Sequence, residues 1–289
     1  MDDFPIHDIH TTEQFPQLAH IPDPPRILHM RGSLERTIGT KFVTVVGSRN
    51  YTSYGKHVCE SLIQELAAYP VTIVSGLALG IDSIAHRAAL DAGLATIAFP
   101  GSGLSKKTLY PAQHRGLAVE ILTAGGALLS EFPDDTVGAH WTFPRRNRLE
   151  AGIADIVIVI EAEEKSGTLI TARLGTEYNK TVGAVPGPIT SPSSSGANWL
   201  LRMGATPITC AGDILEELGL TPQLVGDVSA YLSLTEAETR VVQALSEPKT
   251  KDDLMQELEI TPQDANIMFS TLEIKGVIRE TLGLIERII

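Results

Sequence analysis

Short apolar runs alternate with longer segments of helical periodicity through the middle of the chain. Six runs have the length and β-branched content of strands, at residues 42–46, 71–74, 95–99, 127–130, 156–160 and 181–185. Between them, apolar residues recur every three or four positions, as at Val58, Leu62 and Leu66 in a helix predicted over residues 53–69. The strands are nearly continuously apolar, which is typical of strands covered on both faces. The pattern predicts an α/β fold built on an extended, Rossmann-like, doubly wound parallel sheet over residues 41–220.

The two ends of the chain have different patterns. Residues 1–40 are rich in proline and histidine and only weakly periodic, which predicts a lead-in arm. Turn-forming residues at 221–229 predict a linker. Beyond it, residues 230–289 predict three helices, at 235–245, 251–258 and 261–275, and then a hairpin from 276–280 and 284–286. Three short helices followed by a hairpin are typical of a small winged-helix domain.

The charge of the chain limits the kinds of partner it can bind. The 289 residues carry a formal net charge of −12, and the arm, the sheet domain and the C-terminal segment are each acidic. A nucleic-acid site must therefore be a local concentration of basic residues. The third helix of the predicted winged helix has one basic and two acidic side chains, at Lys275, Asp264 and Glu273. That composition disfavours duplex DNA and favours a protein contact.

The remaining composition points to a compartment. Only two cysteines are present, Cys59 and Cys210, so a disulfide framework is not expected. The first residues lack the features of a signal peptide, and no apolar stretch approaches the length of a membrane span. We expect a soluble, cytoplasmic protein with no membrane association.

Small-residue and basic turns follow several of the predicted strands. In an open parallel sheet, ligands bind beyond the carboxyl ends of the strands, so we expect these turns to line one site. Backbone N–H groups in such turns can hold an anion, and an arginine can bind two phosphate oxygens. Aromatic residues next to the arginines at 145–148 suit a single strand of nucleic acid. The candidate DNA-binding residues are Gly47, Ser48, Arg49, Gly76, Lys106, Lys107, Arg115, Arg145, Arg146, Asn147, Arg148, Ser166, Gly167 and Thr168.

One pair of residues within these turns has two interpretations. Asp82 and His86 stand four positions apart at the start of a predicted helix. They could form a catalytic dyad, or Asp82 could cap the helix and orient the histidine. The second interpretation is favoured because no third partner or metal-ligand spacing accompanies the pair.

These turns carry a resemblance to a known family. Val46-Gly47-Ser48-Arg49, the Ser75 to Asp82 segment, Tyr110-Pro111, Arg146-Asn147-Arg148 and the Ser166 to Ala172 segment occur in the order found in the DNA-processing protein A (DprA/Smf) family. The chain is similar to that family over about residues 15–210. The resemblance implies a non-enzymatic protein without cofactor or metal that binds single-stranded DNA in natural transformation. It also implies protection of incoming strands, loading of the recombinase RecA, and a homodimer.

The resemblance assigns roles to particular residues. Arg49 and Arg115 would contact phosphates, Arg146 and Arg148 would support the same groove, and the small-residue turns would add backbone donors. Two residues depart from the family pattern: His114 stands where asparagine is usual, and Glu150 where an apolar residue is usual. The helical N-terminal domain of many members is not expected, since residues 1–40 alone precede the sheet.

Two other functions compete with this interpretation. Phosphoribohydrolases of the lysine-decarboxylase-like group have a related fold, but their catalytic glutamate would fall at Thr171 here. Without that carboxylate the chain lacks the acid–base group for hydrolysis. A winged-helix transcription factor with an α/β sensor domain is disfavoured by the acidic third helix.

Overall fold

The computed structural model describes residues 1, 3–220, 234–245, 248–258, 260–275, 277–281 and 283–287. The chain divides into two compact units, residues 1–221 and 222–289. The linker predicted at 221–229 lies outside the described residues.

A nine-stranded sheet forms the centre of the first unit. Its strands are β1 (His7–His10), β2 (Ile27–Gly32), β3 (Lys41–Val46), β4 (Val71–Ser75), β5 (Ala95–Ala98), β6 (Ala127–Ser130), β7 (Ile156–Val159), β8 (Thr181–Ala184) and β9 (Thr206–Pro207). Across the sheet the order is β1-β2-β6-β5-β4-β3-β7-β8-β9, and the strands from β6 to β9 are parallel. The chain builds outward from β3 in one direction and, from β7 onward, in the other. This arrangement confirms the doubly wound α/β fold.

Helices cover both faces of the sheet. They are α1 (Thr11–Gln14), α2 (Ser53–Glu65), α3 (Ile81–Asp91), α4 (Arg115–Thr123), α5 (Thr142–Ile153), α6 (Thr168–Glu177), α7 (Ser195–Arg202) and α8 (Ala211–Glu217). Neighbouring strand residues face opposite layers: Ile73 packs with α2, α3 and α8, and Val74 packs with α5. Burial on both faces explains the continuous apolar strands in the sequence.

Residues 1–40, predicted as a lead-in arm, belong to the first unit and contribute to its sheet and core. β2 pairs antiparallel with β6, and β1 pairs with β2, so both extend the main sheet. Phe15, Leu18 and Ile21 are buried against Leu149 and Ile153 of α5. The sequence does not predict β1, because this edge strand has mostly exposed side chains and therefore little alternation of apolar and polar residues.

The second unit contains the predicted helices and hairpin. Its elements are α9 (Glu236–Ala244), β10 (Lys249–Thr250), α10 (Lys251–Leu258), α11 (Pro262–Ile274), β11 (Ile278–Thr281) and β12 (Leu284–Arg287). β12 pairs antiparallel with β10 and β11. A capping box begins α9, because Thr235 Oγ1 accepts the Glu238 N–H and the Glu238 carboxylate accepts the Thr235 N–H. The winged-helix assignment itself remains a prediction.

None of the described helices has both the length and the apolar character needed to cross a membrane.

Candidate nucleic-acid interface

A cavity of about 470 Å³ opens at the carboxyl ends of β3 and β7. These neighbouring strands mark the point where the strand order reverses, which is where open α/β sheets bind ligands. Its walls come from the turn after β3, the loops after β4 and β7, the start of α6 and one side of α5. The polar or charged lining residues are Ser48, Arg49, Asn50, Asp82, His140, Arg146, Asn147, Glu150, Glu163, Lys165, Ser166, Thr168 and Thr171.

The turn after β3 brings Arg49 to the rim of the cavity. A Cβ on Gly47 would lie 2.6 Å from Ile81 Cγ1, so only glycine lets this turn pack against α3. The Ser48 hydroxyl accepts the Asn50 N–H at 3.1 Å and stabilises the turn. The exposed Arg49 guanidinium lies 5.4 Å from the centre of the Phe143 ring. Arg49 and Phe143 therefore form a cation–π pair beside the opening.

The start of α6 forms the opposite wall. The Ser166 hydroxyl accepts the Thr168 N–H at 3.2 Å, and the Thr168 hydroxyl donates to the Gly47 carbonyl at 3.0 Å. This second bond joins the loops that follow β7 and β3. Lys165 and Gly167 complete the wall. The positive end of the helix dipole and a lysine thus face the cavity together, which favours an anion.

The three arginines at 145–148 lie on α5, not in a turn as the sequence analysis assumed. Pro144 falls in the first turn of α5, where its missing N–H costs no hydrogen bond, so the proline does not break the helix. The three arginine side chains leave the helix in different directions. Of residues 145–148, only Arg146 and Asn147 line the cavity.

Arg146 is buried in the floor of the cavity. Its Nη1 donates to the carbonyls of Gly76 and Phe99, and its Nε lies 3.4 Å from Glu150 Oε2. A Cβ on Gly76 would lie 2.1 Å from Arg146 Nη1, so the glycine makes room for the guanidinium. Asn147 Oδ1 accepts the Arg146 Nε–H at 3.1 Å. Arg146 is therefore hydrogen-bonded to the residues that follow β4 and β5, and the absence of a side chain at Gly76 leaves space for its guanidinium.

Two buried carboxyl groups share the floor with Arg146. Burial raises the pKa of Glu150 to about 8; Arg146 opposes this shift and Asp82 adds to it. Burial also raises the pKa of Asp82, against the effect of Arg146, the Ala78 N–H and Arg49. The charge of the floor is thus set by one guanidinium and two carboxyl groups that resist ionisation together.

Asp82 and His86 do not act as a pair in the structure. Asp82 Oδ2 accepts the Ala78 N–H at 3.2 Å, which fits the predicted role in shaping the helix start. The His86 ring instead contacts Thr96 Oγ1 at 2.8 Å. Burial, with smaller contributions from His114 and Arg146, lowers the pKa of His86 to about 3. A buried neutral histidine held by a threonine is a core residue, so the dyad interpretation is not supported.

The structure divides the fourteen candidate residues into three groups. Gly47, Ser48, Arg49, Arg146, Asn147, Ser166, Gly167 and Thr168 line the cavity. Gly76 lines an adjoining recess with Arg49, Tyr110 and Phe143. Lys106, Lys107, Arg115, Arg145 and Arg148 line neither.

The residues of the third group have other contacts. Arg115 Nη2 donates to the Lys107 carbonyl at 2.9 Å. Arg145 lies 3.2 Å from Glu131 Oε2, and the buried Arg148 pairs with the same carboxylate. Arg145 and Arg148 therefore share the Glu131 carboxylate, and Arg145 also lies 3.7 Å from Asp23 Oδ2.

Sequence reasoning missed several cavity residues. Asn50, His140, Lys165 and Ile170 all line the cavity and were not among the candidates. Lys165 directly precedes the recognised Ser166 turn, so its position in the sequence was a usable signal. His140 and Ile170 come from loop and helix residues whose direction depends on tertiary packing. Among the described residues, no group of three or more side chains could hold a metal ion.

Comparisons with known proteins identify relatives of this chain. The family model for DNA recombination-mediator protein A matches residues 8–219. The protein Smf of Escherichia coli is 43% identical over 203 residues, which are 70% of this chain and 54% of that protein. This chain thus spans about half the length of that relative.

Two solved structures share the fold and substantial identity. DNA processing protein A from Streptococcus pneumoniae matches with a TM-score of 0.67 and 37% identity over 74% of each chain. DNA processing protein A from Helicobacter pylori matches with a TM-score of 0.66 and 30% identity, over 74% of this chain and 96% of that one. The Helicobacter pylori structure is described for its unique single-stranded DNA binding mode.

The raised pKa of Glu150 predicts that stability falls as the pH rises towards 8. An unfolded glutamate ionises near pH 4.3, whereas folded Glu150 keeps its proton to about pH 8. Between these values the folded state holds the extra proton, so each pH unit costs up to about 1.4 kcal/mol of unfolding free energy. The Glu150→Gln variant has no proton to lose, and its pH dependence should be shallower.

Urea unfolding from about pH 6.5 to 8.5 measures this effect, because the titration of unfolded His86 is common to the variant and the unmutated protein and cancels when their slopes are compared. Fluorescence of the two tryptophans, Trp141 and Trp199, follows the first unit alone. Glu120→Gln, on an exposed carboxylate of α4, is the matched control. Equal slopes for Glu150→Gln and the unmutated protein would contradict the prediction.

Proposed function

Because this chain belongs to the DNA recombination-mediator protein A family, we propose that it binds single-stranded DNA at the cavity between β3 and β7. The observation that carries the proposal is the composition of the rim. Arg49 and Lys165, the start of α6, and the Phe143 ring all surround one opening. Cations and the positive end of a helix suit phosphates, and an aromatic ring suits a base.

The arrangement favours a single strand over a duplex. A duplex presents stacked bases and a regular array of phosphates, and its affinity depends on many cationic contacts. This protein has a net charge of −12, and the cations at the cavity are few. A flexible single strand can reach the recessed opening and expose base faces to Phe143 and Tyr110, whose rings lie 5.5 Å apart.

The wider role follows from the family and extends the same proposal. We propose that the protein acts without catalysis in natural transformation, protects incoming strands, and loads RecA onto them as a homodimer. In support of a binding role, the cavity position that would hold the glutamate of a phosphoribohydrolase is Thr171, whose hydroxyl is no acid–base group for hydrolysis.

Fluorescence anisotropy with single-stranded and duplex oligonucleotides of equal length tests the proposal. We expect clear preference for the single strand. Binding to neither oligonucleotide, or preference for the duplex, would reject the proposed function.

Arg49→Ala should weaken single-strand binding by about 1–3 kcal/mol, as expected for loss of a charge-assisted contact to phosphate. The melting temperature should change little, because Arg49 is exposed and its ring contact is at the surface. Arg87→Ala is the matched control, since Arg87 is an exposed arginine of α3 paired with Glu120. An unchanged affinity, or a large drop in melting temperature, would show that Arg49 has no direct role.

The salt dependence of binding should be modest. Arg146 and Arg148 are engaged inside the protein, which leaves Arg49 and Lys165 as the cations of the rim. Two phosphate contacts predict that log affinity falls with log salt concentration with a slope of about −1.4 per site. Anisotropy titrations at several salt concentrations give this slope. A slope near zero would argue against phosphate contacts at the rim.

Deletion of residues 230–289 should leave single-strand affinity nearly unchanged. This segment is acidic, and every hydrophobic cluster of the first unit is formed by residues before 221. The truncated protein should therefore fold and keep the cavity. A loss of more than about tenfold, roughly 1.4 kcal/mol, in a folded protein of unchanged oligomeric state would show that the second unit contributes to DNA binding.

A further inference from the structure

A buried carboxylate supports the loop that carries Arg49. Glu161 follows β7 and is 1% exposed. Its Oε2 accepts the Thr52 N–H at 2.9 Å, and its Oε1 accepts the hydroxyls of Thr52 at 2.6 Å and Ser193 at 3.4 Å. No lysine, arginine or histidine of the described residues forms an ion pair with it. The charge is held by hydrogen-bond donors alone.

The first turn of α2 is built around this carboxylate. Thr52 caps the helix, since its hydroxyl also accepts the Gly55 N–H at 3.1 Å. A Cβ on Gly55 would lie 2.3 Å from Glu161 Oε2, so the helix backbone rests directly on the carboxylate. The positive end of the helix dipole further stabilises the negative charge.

The loop from Gly47 to Thr52 is thereby fixed at both ends. Its start is held by Ile81 and by the bond from Thr168 Oγ1 to the Gly47 carbonyl. Its end is held by the two bonds from Thr52 to Glu161. Arg49 lies between these attachments, three residues before Thr52.

We infer that Glu161 is a positioning residue for Arg49: it holds the 47–52 loop so that the guanidinium stays over Phe143 at the rim of the cavity. Glu161 does not line the cavity and would not touch DNA. Its effect on binding passes through the loop, because a loop that must be ordered on binding reduces the affinity. The inference rests on the proposed function and names a residue that the turn sequences did not single out.

Glu161→Gln tests the inference with little change of shape. The amide keeps one acceptor oxygen and has no charge, so the charge-assisted bonds that Thr52 donates are weakened or reversed. Single-strand affinity should fall about tenfold, and the fall should disappear when Arg49→Ala is already present. Glu60→Gln, on the exposed side of α2 in a pair with Lys56, is the matched control and should bind normally.

Variants of Thr52 approach the same bonds from the other side. Thr52→Val removes the hydroxyl and should weaken binding, whereas Thr52→Ser keeps both donors and should bind like the unmutated protein. These variants also decide the matter if Glu161→Gln fails to fold. A residue with only a structural role would lower the melting temperature without any dependence on Arg49.

Hydrogen exchange separates this inference from the proposed function. In Glu161→Gln, the hydrogen-bonded backbone amides of Asn50, Thr52 and Gly55 should exchange faster than in the unmutated protein, with little change at β4. Unchanged exchange in Glu161→Gln overturns the inference whether or not the protein binds DNA. Absence of DNA binding in the unmutated protein rejects only the proposed function. If the unmutated protein binds single strands, two further results overturn the inference. One is normal single-strand affinity of both Glu161→Gln and Thr52→Val, and the other is an equal loss of affinity from Glu161→Gln when Arg49→Ala is already present.

Discussion

The contact of the buried Arg146 with the ends of two strands determines the geometry of the cavity. The guanidinium donates to carbonyls that follow β4 and β5 and lies beside Glu150. A buried arginine is stable only if its donors are satisfied and its charge is compensated. The carbonyls supply the first condition, and Glu150 and Asp82 contribute to the second only to the extent that these carboxyl groups, whose pKa burial raises, are ionised. Arg146 is therefore engaged within the floor, which leaves Arg49 and Lys165 at the opening for ligands.

This separation of floor and rim reconciles an acidic protein with a role in binding DNA. Most of the basic side chains near the sheet edge are engaged within the protein, by Glu131, by backbone carbonyls or by buried carboxyl groups. Arg49 and Lys165 remain at the opening, next to the positive end of α6. Local placement of a few donors thus matters more than the net charge of the chain.

The sequence predicted the parallel core of the fold well, because buried β-branched runs have a strong pattern. All six predicted strands are present, and their bounds differ by at most one residue. Strands β1, β2 and β9 were missed: β1 and β9 are short strands at the sheet edges, and His29 and Arg31 interrupt the apolar residues of β2. In the site, the turns after β3 and β7 were found by their small residues. The sequence could not predict that Arg146 lines the cavity whereas Arg148 pairs with Glu131. It shows a basic cluster but not the direction in which each side chain leaves the helix.

The glycines around the cavity have a consequence for how this site can evolve. Gly47 abuts Ile81, Gly55 abuts Glu161, and Gly76 abuts Arg146, each at a distance that excludes a methyl group. In each case the space that the glycine leaves is filled by one particular side chain of another segment. The glycine of each pair cannot gain a side chain while its partner stays in place, so substitution at these glycines requires a change or movement of the partner. We expect the three pairs to be inherited as units among related proteins, even where the exposed rim residues diverge.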